Sequence, residues 1–305
     1  MEQQSAQPQT AGPPSPRRGL RARASLTAAA LTVGTVVGSP LLAPAATAGA
    51  DPLASPPGVT IAALAPASAP AAHSLHLARL PNRRDLGGYT TAEGRTTRSG
   101  VALRSGALNK LSDGDAAALQ QTGLTKIIDL RTGIERAVQP DRVPAGAHEL
   151  WLNVVGDDPL TLPALVDMPR LYRMFVTDPD AREAFRQAVL DIAYGDGAGL
   201  FHCSAGKDRT GWLAAVLLTL VGVDRTTVYD DYLASNELIG DGMAGSAAPA
   251  LDAAGSTFIN RVERGWLDTS FAAADEVYGG FDGYARAGLG LTDADIDALK
   301  SRLLV

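Results

Sequence analysis

A single cysteine, Cys203, in a chain of 305 residues leaves no intrachain disulfide to form and no Cys-rich zinc site to build. That thiol is either a small buried hydrophobe or a reactive group. Basic charge is in deficit as well: 27 Lys and Arg stand against 33 Asp and Glu, a formal charge of −6. Phosphate-backbone affinity needs a basic surface, so a general nucleic-acid binder is excluded and only a local basic pocket is allowed. No internal repeat of 20–50 residues occurs, which removes solenoids and propellers. Apolar residues, by contrast, reach 46 %, enough for a real core, and rule out whole-chain disorder and collagen-like rods.

The N-terminal region does not read as fold. Arg17, Arg18, Arg21 and Arg23 precede an apolar stretch over residues 24–42, and Ala46-Thr47-Ala48 follows it. A basic head, an apolar run and an A-x-A ending match a secretory signal peptide over residues 1–48, and hence a secreted protein. Gly34, Gly38 and Pro40 within the run argue against a membrane helix. Arg17-Arg18 resembles a twin-arginine signal, although Pro16 stands where such signals prefer Ser or Thr. Removing this segment takes away four Arg and one Glu and brings the net charge to −9. Residues 49–75 are rich in Pro, Ala and Ser and read as an extended linker, leaving 76–305 as the folded unit.

From Leu80 onward short β-rich runs alternate with helical patterns. Strands are expected near 85–90, 101–104, 125–130, 148–155 and 199–202. Helices are expected near 112–122, 165–175, 180–194, 210–221, 225–236, 256–266, 269–278 and 292–304. Ser112 with Asp115, and Thr292 with Asp295, supply N-caps. The order gives one α/β domain with a helix-rich C-terminal half. The Gly- and Ala-rich stretch 240–255 reads as a mobile connection, and the helices after it as a cover over the site.

The chemistry concentrates in His202-Cys203-Ser204-Ala205-Gly206-Lys207-Asp208-Arg209-Thr210-Gly211. This loop lies between a strand ending in Gly199-Leu200-Phe201 and a helix, Trp212 to Leu218, that is apolar nearly all round. Such a helix aims its unpaired N–H groups and its dipole at the loop, and Gly206 lets the backbone curl so that its amides converge on an anion. A tetrahedral dianion fits there. Cys203 faces the same potential, which favours thiolate over thiol and makes it a nucleophile. Arg209 can hold two phosphate oxygens bidentately, which lysine cannot do. The Thr210 hydroxyl can donate to sulfur, and His202 is suited to fixing the loop through backbone hydrogen bonds.

At these residues the sequence resembles the cysteine-dependent protein phosphatases, whose signature is H-C-x5-R followed by Ser or Thr. More narrowly, it looks like the bacterial tyrosine-phosphatase-like family whose loop reads H-C-x-A-G-K-D-R-T-G. Further matching segments are Asn82 to Gly88, Leu103-Arg104-Ser105-Gly106, Ile127 to Arg131 with Glu135, Asp231 to Asn236, and Tyr278-Gly279-Gly280; Arg83 replaces an aromatic often found there. The resemblance implies a central, mainly parallel sheet flanked by helices. It also implies a two-step reaction through a phosphocysteine that needs neither metal nor cofactor. The substrate would be a phosphorylated protein, through phosphotyrosine and secondarily phosphoserine or phosphothreonine, or a phosphoinositide, toward which Lys207 points. Asp157, in the loop Val154 to Pro159, is the expected general acid, with Asp158 and Asp208 as rivals. Asp129 is expected to hold a neighbouring loop, and Arg131 with Glu135 to form an exposed helical pair without a role.

Two other enzyme loops fit less well. A nucleotide-binding loop of the form Gly-x4-Gly-Lys-Ser/Thr fails, because Asp208 follows Lys207 and Phe201 stands where the first Gly belongs. A rhodanese-like sulfurtransferase lacks this His-Cys and Arg-Thr frame. A non-catalytic binder of phosphorylated ligands is the alternative outside the enzymes.

Overall fold

Alternation of side chains along three central strands sets the layers. The computed structural model describes residues 73, 75, 77, 80–159, 161–243 and 261–305. The expected signal peptide at 1–48 and nearly all of the linker lie outside these residues. Five strands form one sheet: β1 (Arg84–Asp85), β2 (Ala102–Ser105), β3 (Leu124–Asp129), β4 (His148–Trp151) and β5 (Ala198–His202), in the order β1-β2-β5-β3-β4. Only the β1–β2 pair is antiparallel. Leu200 of β5 pairs with Leu103 and Ile127, and this row packs with Leu119 and Leu124 beneath helix α1 (Asp113–Gln121). The next residue, Phe201, pairs with Ile128 and joins the larger core on the opposite face. Both faces are thus buried, as parallel sheets require.

The larger core is helical. It contains α3 (Met168–Thr177), α4 (Pro179–Tyr194), α5 (Arg209–Leu220) and α6 (Arg225–Leu233), followed by α7 (Ser235–Met243), α8 (Arg264–Tyr278) and α9 (Asp293–Leu303). Helix α5 is buried on nearly every side; its Trp212 lies edge-on to Phe271 of α8 at 5.2 Å and packs against Tyr284. The caps expected at Ser112 and Thr292 are both made, and Thr292 with Asp295 closes a full capping box. Central β5 delivers its C-terminal end to the start of α5, between strands on either side, where open α/β sheets place ligands.

Several boundaries differ from the sequence reading. The first strand pairs over two residues only, because Gly87 and Gly88 turn the chain, and β4 stops at Trp151. The helix expected at 225–236 is two helices meeting at Ala234, and the Gly-rich connection expected from residue 240 remains helical to Met243. The pair at 256–266 and 269–278 is one helix, α8, whose first residue is Arg264; residues 256–260 lie outside those described. A helix was missed altogether at α2 (Gly133–Val138), whose Thr132–Glu135 capping box is its start signal. Helix α8 buries Trp266, Leu267, Phe271 and Ala274 in the core, so it is a structural wall rather than a movable cover.

Candidate active site

The loop between β5 and α5 is turned inside out by what grips it from behind. Asn82 Nδ2 and Arg104 Nη2 donate to the Gly206 carbonyl at 2.7 and 3.0 Å, and Asn82 also reaches the Ala205 carbonyl at 3.4 Å. The Ala107 N–H holds the Ser204 carbonyl at 3.1 Å, and His202 Nδ1 lies 3.3 Å from that of Cys203. In a trans peptide the N–H points opposite to its carbonyl, so the following amides, from Ser204 to Lys207, turn toward the hollow of the loop. Gly206 makes the bend at φ +69°, and a Cβ there would lie 2.4 Å from the Ser105 carbonyl. Both its left-handed conformation and the close approach require glycine. The left-handed conformation of Asn82, φ 52°, is tolerable to asparagine and is fixed by the grip of its side chain.

Cys203 stands at the end of β5, 2 % exposed. Arg209 opens α5, and its two terminal nitrogens donate to Glu135 of α2 at 2.6 and 2.7 Å. Ser204 Oγ, the Thr132 hydroxyl and the Thr132 N–H donate to the same carboxylate. Burial alone would raise the Glu135 pKa, but the Arg209 hydrogen bonds and charge hold it well below the usual carboxylate range. Burial alone would likewise lower Arg209; Glu135 and the nearby Cys203 raise it instead. The guanidinium is therefore a fixed cation. The role-free exposed pair expected at Arg131 and Glu135 is corrected here: Glu135 clamps the loop arginine, and Arg131 is wholly buried between Asp129 and Asp141. The helical spacing does not hold either, because Arg131 lies before the Thr132 cap and only Glu135 is on α2; nor does spacing reveal which face of a short helix meets a loop 70 residues away.

The remaining expected residues divide into two groups. His202, Asp129 and Asp141 form a buried cluster behind the strand ends; His202 Nε2 lies 3.1 Å from Asp141, and Arg131 and Arg136 both bind Asp129. This cluster could be read as metal ligands, but the two arginines already satisfy its carboxylates. Asp129 holds the neighbouring loop, as expected. Lys207 is buried: its Nζ lies 3.1 Å from Asp208, donates to the Arg261 carbonyl at 3.0 Å and sits 5.3 Å over the Trp266 ring. Asp208 also accepts from the Tyr172 hydroxyl at 3.0 Å, and Tyr172 and Tyr232 share a 2.6 Å hydrogen bond. The Thr210 hydroxyl is buried and has no hydrogen-bond partner among the described residues. Asp157 is exposed, and its Oδ1 accepts from the Gly133 N–H at 2.7 Å, capping the helix that carries Glu135.

Sequence reasoning missed the ionic layer behind the loop. Asp231 of α6 accepts from Arg84 at 2.8 Å, from Arg104 and from the Tyr89 hydroxyl, with all three charged side chains at most 2 % exposed. Burial alone would raise Asp231, but the two arginines hold it far below the usual range. Arg104, set behind Leu103 in a short strand, was the signal the sequence offered.

Residues 75–305 match the model of the tyrosine phosphatase family. A Cupriavidus necator protein assigned to the tyrosine-protein phosphatases is 32 % identical over 258 residues, 79 % of this chain and 92 % of that one. A tyrosine-protein phosphatase of Nostoc commune is 30 % identical, over 66 % of this chain and 73 % of its own. The triple specificity protein phosphatase PtpB of Mycobacterium tuberculosis is 30 % identical, over 73 % and 96 %.

Proposed function

Because the chain belongs to the tyrosine phosphatase family, we propose that it hydrolyses phosphotyrosine esters, and secondarily phosphoserine and phosphothreonine esters, through a phosphocysteine at Cys203. The observation that supports this most directly is an arginine locked in place at the far end of the nucleophile's loop: Cys203 follows β5, Arg209 opens α5, and Glu135 fixes that guanidinium through two hydrogen bonds. The loop amides and Arg209 bind the equatorial phosphoryl oxygens while sulfur attacks in line. Cleaving the P–O bond to tyrosine transfers the phosphoryl group to sulfur. Water then attacks phosphorus, releasing phosphate and thiolate, to which the unpaired Thr210 hydroxyl can donate. Lys207 is bound to Asp208 and to the Arg261 carbonyl, so its charge is not held in reserve for a second phosphate. This favours phosphotyrosine over a phosphoinositide.

Rapid quench with a labelled aryl phosphate in EDTA tests the reading. Label should appear on Cys203 at close to one per chain, with turnover unaffected by the chelator. Turnover that stops in EDTA, or a quench that traps no label, removes the proposal.

Asp157 is proposed as the donor to the leaving tyrosine, with Asp158 and Asp208 as rivals. General acid catalysis is worth about 10²–10⁴-fold. Asp157→Asn keeps the cap on Gly133, because asparagine caps as well as aspartate. It is expected to lower kcat about 10²-fold for a substrate with a poorly leaving alcohol and far less for an activated aryl phosphate, whose leaving group needs no proton. If Asp208→Asn produces that change and Asp157→Asn does not, the role belongs to Asp208.

A further inference from the structure

The ionic layer behind the loop does not balance. Arg84 and Arg104 share one carboxylate, Asp231, and Tyr89 adds only a neutral hydroxyl. One unit of positive charge is left over in a region sealed from water. An unpaired buried charge is expensive, so a fold keeps one only where something compensates it. Arg84 spends its remaining donors on Asn82, on the Asp231 carbonyl and on Ser235. Arg104 is less satisfied: it is 0 % exposed, its Nε has no hydrogen-bond partner among the described residues, and its Nη2 goes to the Gly206 carbonyl. Burial and the neighbouring Arg84 push Arg104 down to about 10, against the pull of Asp231, Tyr89 and Cys203. Strand register sets Arg104 beside Phe201, two residues before Cys203; the groups that act on Arg104 are Arg84, Asp231, Tyr89, Tyr232 and the Cys203 sulfur, and of these only sulfur carries a charge that the reaction uses.

We infer that Arg104 is a positioning residue for the nucleophile: its surplus charge stabilises the Cys203 thiolate from behind the loop, and its hydrogen bond to Gly206 keeps the loop amides aimed at the phosphoryl group. Arg209 then grips the substrate from the open side while Arg104 serves the nucleophile from the closed side. The inference rests on the phosphatase reading for its purpose and for its kcat readout, whereas its alkylation readout stands apart from that reading.

Alkylation of Cys203 by iodoacetamide reports thiolate directly and needs no turnover. In Arg104→Gln, the alkylation rate at pH 6.5 is expected to fall about tenfold, as the loss of one close charge in a partly buried site implies. Arg104→Lys retains the charge without the planar fork. It should alkylate within about threefold of wild type, yet lose about tenfold in kcat with little change in KM, because the loop amides are no longer fixed. Should Arg104→Gln not fold, Arg104→Lys decides the matter. Wild-type alkylation in Arg104→Gln, or full kcat in Arg104→Lys, overturns the inference. An enzyme that alkylates as expected but traps no phosphate would instead fault the phosphatase reading and leave Arg104 its role.

Discussion

Cys203→Ser should eliminate aryl phosphate hydrolysis, by at least about 10⁴-fold, while the protein still binds inorganic phosphate. A serine hydroxyl is almost entirely protonated at neutral pH; Arg209, a permanent cation, cannot take its proton, and His202 faces Asp141 instead. The amides, Arg209 and Glu135 are untouched by exchanging sulfur for oxygen, so the anion cradle persists. Calorimetric titration with phosphate alongside a chromogenic assay separates the two properties. Residual turnover above about one part in a hundred would assign the chemistry to another group. Phosphate binding lost along with turnover would show instead that the substitution had damaged the loop.

Glu135→Ala is the second large effect, and it acts on both stability and rate. It leaves Arg209, 7 % exposed, without the carboxylate that neutralises and orients it. Breaking a buried pair by deleting one partner costs about 3–5 kcal/mol, and the 23 % exposure of Glu135 places this case toward the lower figure. A freed guanidinium must also be reordered by each substrate, so kcat/KM should fall about 10²-fold. Glu135→Gln keeps a hydrogen-bond acceptor and should fall between alanine and wild type. The pH dependence has a definite sign. A carboxylate held below its ordinary range contributes stability that is complete above that range and is lost as pH falls through its folded value. Acid unfolding of wild type should therefore begin at lower pH than that of Glu135→Ala. Chemical denaturation at pH 7 and at pH 3, well inside the range where the contribution fades, checks this: a loss at pH 3 equal to that at pH 7 would mean that Glu135 does not act as a charged partner.

The centre of the sheet was legible because β3 and β5 carry the short apolar runs Ile127-Ile128 and Leu200-Phe201 behind a glycine turn, and the catalytic loop because its ten residues have few alternative uses. What escaped was everything held by contacts distant in the chain. Arg84, Arg104 and Asp231 lie up to 147 residues apart in the sequence and meet only after β1, β2 and α6 have packed. A charged side chain in sequence looks the same whether it faces solvent or an ion pair. Helix α2 was missed for a related reason: six residues are too few for an apolar stripe, and only the Thr132–Glu135 box marks it. Its Glu135 proved to be the partner of the most important arginine. Lys207 was a pointer toward a phosphoinositide, and its actual partners were hidden, because Trp266 and the Arg261 carbonyl approach it from a helix and a turn more than 50 residues downstream.

The solitary thiol has one more consequence. Many thiol enzymes survive peroxide because a neighbouring cysteine captures the sulfenic acid as a disulfide, which reductants later reopen. Cys203 has no such rescuer anywhere in the chain. An oxidant that enters the cradle can be answered only by a backbone nitrogen or by a thiol from another molecule, and a second oxidation event is terminal.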